Sequence, residues 1–146
     1  MAARFASYEP NQIVFIFGGA DITEGLADGQ FIQIVQPTDF AQTVVGTDGE
    51  VVRSRSNDYR AQITLSLLQT SEANDILSAA YNADRTSSNG VVVAIAIRDA
   101  GNGRQLYAAS EAWIGKAPDV TFDRTATARQ WRIDCANLAR FDGGSS

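Results

Sequence analysis

The chain has 146 residues, 45% apolar and 20% charged, with a formal net charge of −5 and a pI near 4.6. That balance belongs to one folded domain that buries about 68–70% of its unfolded surface, not to a disordered segment. There is no histidine and a single cysteine, Cys135, which excludes an internal disulfide, Cys/His zinc sites and the commonest general base; the acidity argues against tight duplex binding.

Met1 to Asn11 reads as a polar lead-in, and no long apolar run follows Arg4, so no secretory leader is expected. No segment reaches the ~18–20 apolar residues that span a bilayer. The expectation is a cytoplasmic product or a particle component assembled there, with no membrane partner. Ile13 to Phe17, IVFIF, predicts a strand buried on both faces and ended by a turn at Gly18-Gly19. Asp21 to Asp28 is turn-rich, and Phe31 to Gln36 predicts a second strand stopped by Pro37.

Phe40 to Val45 and Glu50 to Ser54 predict the two sides of an exposed hairpin arm within residues 40–58. Asp48-Gly49 suits a two-residue I′ turn, which needs positive φ. Val44, Val45, Val51 and Val52 lie near the tip. Exposed valines on a hairpin are an aggregation hazard in a monomer and a docking arm in an assembling subunit. The run Arg53-Ser54-Arg55-Ser56-Asn57-Asp58 is too hydrophilic for a core. Gln62 to Leu68 alternates, with Ile63, Leu65 and Leu67 on one face and Gln62, Thr64 and Ser66 on the other.

Thr70 or Ser71 is then expected to cap a helix from about Glu72 to Arg85, a cap worth about 1 kcal/mol. Ala73, Ile76, Leu77, Ala80 and Tyr81 form its apolar stripe. After a polar loop from Thr86 to Gly90, Val91 to Ile97 predicts another strand, apolar on both faces. Asn102-Gly103 turns it into Gln105–Ile114, and Pro118 marks a break. Val120–Thr125 and Arg129–Asn137 are expected to pair, as a hairpin or across a wide connection. In the last strand Arg129, Trp131, Ile133 and Cys135 share one face, and Gln130, Arg132 and Asp134 the other. Cys135 is expected to be a buried structural thiol. Residues 142–146 read as a loose tail.

The expected fold is mainly β, a mostly antiparallel sandwich or barrel of roughly six to eight strands with one helix packed on a side or end, in a single domain over 1–146. No catalytic, metal or cofactor site emerges. Gly18-Gly19 and Gly101-x-Gly103 are turns; neither opens a helix with the lysine of a phosphate loop. Glu111 and Asp134 read as solvated acids, not as a hydrolytic pair. Trp113 and Trp131 default to core packing. Arg53, Arg55 and Arg60 form a basic patch, open to three readings: a solvated arm, docking on an acidic neighbour, or phosphate binding.

The order of DGE, RSRSND, an I-T-L-x-L-L strand, then QTS and ND before a helix resembles the tube protein of contractile phage tails. Gly25-Leu26-Ala27-Asp28-Gly29-Gln30-Phe31-Ile32, Glu111-Ala112-Trp113-Ile114 with Pro118, and Arg129-Gln130-Trp131 fit the same family. The resemblance runs from about Tyr8 to Gly144. It implies a subunit of the virion tail, assembled in the host cytoplasm, that forms hexameric rings stacked into a tube. Its partners would be other copies, the sheath, the tape-measure protein and baseplate or terminator proteins, with DNA only in passage.

On that reading Val44, Val45, Asp48, Glu50, Val51, Val52, Arg53, Arg55, Asn57 and Asp58 form the inter-subunit or inter-ring contact. Gln62, Thr64, Ser66, Gln130 and Asp134 are candidates for a polar channel wall, with Arg132 on the same face. Two other readings stand beside it: a tube subunit of a secretion or bacteriocin machine, and a monomeric ligand-binding β-barrel with an apolar internal cavity.

Overall fold

The computed structural model describes residues 13–22, 31–99 and 104–143. The lead-in at 1–11, most of the turn-rich stretch at 21–28, the Asn102-Gly103 turn and the end of the tail lie outside the described residues. The described elements are β1 (Ile13–Phe17), β2 (Ala20–Asp21), β3 (Ile32–Val35), β4 (Ala41–Val45), β5 (Val51–Arg55), β6 (Ala61–Leu68), α1 (Ala73–Thr86), β7 (Val93–Asp99), β8 (Leu106–Lys116), β9 (Ala128–Cys135) and β10 (Ala139–Phe141).

Eight of the strands form one antiparallel sheet. Seven run in the order β2-β1-β7-β8-β9-β6-β3, and β10 pairs with β8 off that path. β4 and β5 form a separate two-stranded sheet. Period-2 patterning explains the main sheet. Ala61, Ile63, Leu65 and Leu67 of β6 and Trp131, Ile133 and Cys135 of β9 are buried on one face, joined by Phe15, Phe17, Ile95 and Ile97. Truncating a fully buried residue such as Leu65 or Ile133 to Ala costs about 2–5 kcal/mol. Ile13 of β1 and Ile32 and Ile34 of β3 line one cavity of about 340 Å³. The two ends of the sheet therefore curl toward the same space. Of the two expected architectures, the open barrel forms, from one continuous sheet.

The helix closes on this core through Ala73 and Leu77, with Ala80 and Tyr81 partly buried against it. Ile76, expected in the stripe, is 37% exposed. Of the two expected caps, Ser71 supplies the bond. Glu72 precedes the first helical residue with helical torsions and makes no side-chain cap. Ser71 Oγ instead accepts the Ala73 N–H at 3.2 Å.

Three further expectations are corrected. The I′ turn belongs to Gly18-Gly19 (φ 59° and 88°), between the paired Phe17 and Ala20. At the arm tip only Gly49 has positive φ (89°), and the Gly49 N–H bonds Gly46 O while the Gly46 N–H bonds Glu50 O. This is a three-residue loop, a type I turn closed by a left-handed glycine, which spares Asp48 a positive φ. Val120–Thr125 is not a strand, and its residues are exposed. β9 pairs instead with β6 and with β8, the strand before it, and the following β10 lies end to end with β9 on one edge of β8: Cys135 pairs with Ala112, and Ala139 with Ala108.

Candidate assembly surfaces

The β4–β5 arm stands off the barrel. Every residue of β5 is exposed, as is every residue of β4 except the half-buried Ala41. The register pairs Val44 with Val52 and Val45 with Val51, and places Thr43 opposite Arg53 and Ala41 opposite Arg55. One side of the ribbon therefore carries Val45, Val51, Arg53 and Arg55 together. The other carries Val44, Val52, Gln42 and Ser54. Among the described residues neither Arg53 nor Arg55 has an ion-pair partner.

The root of the arm is fixed by a compact polar knot. The Ser56 N–H bonds Phe40 O at 2.7 Å. Asp58 takes the Arg60 Nε–H and Nη2–H, each at 2.8 Å, and the Thr38 hydroxyl at 2.6 Å. Those donors, the Arg60 side chain first, hold the Asp58 carboxyl well below the ordinary carboxylate range, and Asp58 in turn raises the Arg60 guanidinium. Arg60 thus leaves the basic patch and becomes a structural clasp. Asn57 is exposed beside it, and Asp48 Oδ1 accepts the Glu50 N–H at 3.1 Å within the turn.

The outward face of the barrel divides into two. Over β6 and β9 the register sets Gln62 opposite Asp134, Thr64 opposite Arg132 and Ser66 opposite Gln130. The five wall candidates thus form one block with Arg132. Ser66 is buried at 6%, so the other four and Arg132 carry the surface. Arg132 Nη2 donates to Asp134 Oδ2 at 3.4 Å, and Nε lies 3.2 Å from Oδ1 without hydrogen-bond alignment. The pair makes this block close to neutral. Trp113 faces outward here, opposite Asp134 and half-buried, and does not join the core. The alternation with buried Ala112 and Ile114 carries that signal. Trp131 does lie in the core.

Over β7, the start of β8 and β10 the face is small and apolar. Ala108 pairs with Ala96 on one side and Ala139 on the other. With Ala94, Tyr59, Ser110 and Asn137 these strands shape an open groove of about 650 Å³. The alternate alanines of VAIAI and the alanine pair of LYAAS signal it in sequence. At the cavity lined by Ile13, Ile32 and Ile34, Arg140 clamps Asp142 at 2.9 and 3.0 Å, while the Tyr107 hydroxyl bonds the same carboxylate. These donors, Arg140 first, lower the Asp142 carboxyl, and burial raises the Tyr107 phenol.

Glu111 is exposed and its carbonyl accepts the Ala136 N–H at 3.0 Å, a structural placement. Burial, helped by Asp134, pushes the Cys135 thiol up to about 11. Among the described residues no three His, Cys, Asp or Glu side chains gather as a metal site. No helix among them is long and apolar enough to cross a membrane.

The family described as bacteriophage PhiTE tail tube protein matches residues 11–143. The chain belongs to that tail-tube family. It is 30% identical to structural protein ORF10 of Pseudomonas phage KPP10, over 99% of this chain and 87% of that protein. A sheath/tube terminator of an extracellular contractile injection system, PVC, superposes with TM-score 0.63 at 12% identity, over 96% of this chain and 99% of that one. The tube-terminating cap of the anti-feeding prophage gives 0.60 at 13%, over 97% and 95%. A chain of the PVC sheath–tube complex gives 0.58 at 12%, over 90% and 89%. The tail-tube chain thus shares its fold with parts of contractile injection systems. Its family is structural, not enzymatic, and belongs to the phage tail.

Proposed function

We propose that this chain is the repeating subunit of a phage tail tube, closing into hexameric rings that stack inside a contractile sheath. The observation that carries the reading is the arm: a two-stranded ribbon with four exposed tip valines, anchored by Asp58–Arg60, on a chain of the tail-tube family. An isolated ribbon is marginal in water and gains stability from a neighbour. Among the described residues β3 is paired only to β6, which leaves its other edge available there for main-chain bonds across a subunit seam.

DNA would pass through the channel without being bound. Six subunits at −5 carry a formal −30 per ring. Charge on the wall acts over about 8 Å at physiological salt. The Arg132–Asp134 pair makes the β6–β9 block neutral, so a wall of Gln62, Thr64, Gln130 and the paired ions would lower friction by lacking adhesive charge. Sheath, tape-measure, baseplate and terminator proteins complete the set of partners, with assembly in the host cytoplasm.

A second reading is favoured by the terminators among the similar folds: a ring that caps the tube. Gold-labelled antibody against this chain, applied to virions with contracted sheaths, separates the two. Label along the exposed tube supports the repeating subunit, and label at one end only supports the cap. Tails without label overturn both.

A further inference from the structure

We propose that the Val45–Val51 side of one subunit's arm docks in the alanine-floored groove of another subunit, with Arg53 or Arg55 against Glu111 at its rim. The inference rests on the assembly reading and names the receiving site for the arm.

The groove is open because its floor is built of Ala94, Ala108 and Ala139 on neighbouring strands, where larger side chains would fill the hollow. Nothing among the described residues covers it. Its occupant must be narrow, projecting and apolar, and must bring positive charge. Glu111 is next to Ser110 at the groove's rim, is exposed, and has no ion-pair partner among the described residues. One side of the arm meets all of these terms. The register stacks the Val45–Val51 pair at the tip, then Arg53 opposite Thr43 and Arg55 opposite Ala41, all on that side. The opposite side, with Val44, Val52, Gln42 and Ser54, carries no charge.

The occupant is a second copy and not the chain's own arm. Tyr59, which walls the groove, comes directly after the arm's root. A strand of five residues extends about 17 Å, so the tip lies well beyond its own root. Tip and groove are different patches. Made in one direction from copy to copy, a contact between them is heterologous and head-to-tail, the kind that closes into a ring or propagates as an open series. Stacked rings of one polarity need that kind of contact.

Variants with one added cysteine test it, the native Cys135 being buried in the core. Val45→Cys protein is mixed with Ala139→Cys protein under mild oxidation, while electron microscopy tracks assembly of the unmodified protein. The inference predicts a disulfide-linked dimer from that mixture and none from Val44→Cys with Ala139→Cys. Tubes that form while Val45→Cys links to Gln130→Cys, or to neither site, overturn the docking and leave the assembly reading standing. An unmodified protein that forms neither rings nor tubes overturns the assembly reading, and the docking with it. As a second readout, Arg53→Glu with Arg55→Glu should block assembly and Glu111→Arg in the same chain should restore it. Failure to restore, in variants that melt like the parent, also counts against the pairing.

Discussion

The Trp131 indole N–H donates to Asn74 Oδ1 at 2.9 Å, tying the middle of β9 to the first turn of the helix. The Asn74 amide donates in turn to Leu68 O at 2.9 Å and Ser71 O at 3.1 Å, holding the end of β6 and the helix entry. One side chain thus joins three elements. Asn74→Ala strands the buried indole donor and should destabilise the fold by about 1–3 kcal/mol. Urea unfolding monitored by tryptophan fluorescence checks it, and an unchanged midpoint contradicts it.

The Asp58 knot predicts a pH dependence. Its folded-state pKa lies below the unfolded value of 3.8, so its contribution is full above about pH 4 and is lost as pH falls through the folded value. Asp58→Asn should therefore lower the melting temperature at pH 5–7, by an amount that shrinks as the solution is acidified below 4. A difference that is constant with pH would show the carboxylate charge to be irrelevant.

Arg129 is 8% exposed and has no carboxylate partner among the described residues. Its guanidinium donates to Thr127 Oγ1 at 2.6 Å, reaches Thr121 O at 3.5 Å and sits 5.9 Å over the Phe122 ring. Gln69 fastens the same loop through Thr127, its N–H on the Thr127 carbonyl at 3.1 Å. Arg129→Met keeps the bulk and removes these bonds. Trypsin should then cut after Arg124 roughly tenfold faster, in line with losing a charged hydrogen bond of ~1.5 kcal/mol. An unchanged rate would show that the loop is held by its other contacts.

Cys135 is 2% exposed with its thiol raised to about 11. A thiol reagent at pH 8 should label it only as fast as the chain unfolds. Labelling at the rate of a free thiol would contradict the burial.

The strands β6 and β9 are legible in the sequence because alternation assigns each side chain to a face, and their buried faces then match as partners. β1 and β7 are legible as apolar runs. β10 is not: Ala139-Arg140-Phe141 has no pattern of its own and is a strand only because β8 is long enough to pair with it beyond β9. Val120–Thr125 alternates like a strand, yet finds no partner strand among the described residues, and Phe122 is left 83% exposed. At the arm tip the Gly46–Glu50 bond leaves Thr47 in the loop with Asp48 and Gly49, which turns an expected I′ turn into a three-residue loop. The arm, its valines and its arginines could be read directly, whereas Arg60 could not be told from them without its contact to Asp58. The groove depends on three strands meeting, and the sequence shows only its alternate alanines.

The central claim is assembly, and negative-stain electron microscopy of the purified protein at high concentration tests it most directly. The account predicts rings and hollow tubes of uniform diameter, lost on Arg53→Glu with Arg55→Glu. A monodisperse monomer, unchanged when purified tail fragments are added as seeds, would contradict it.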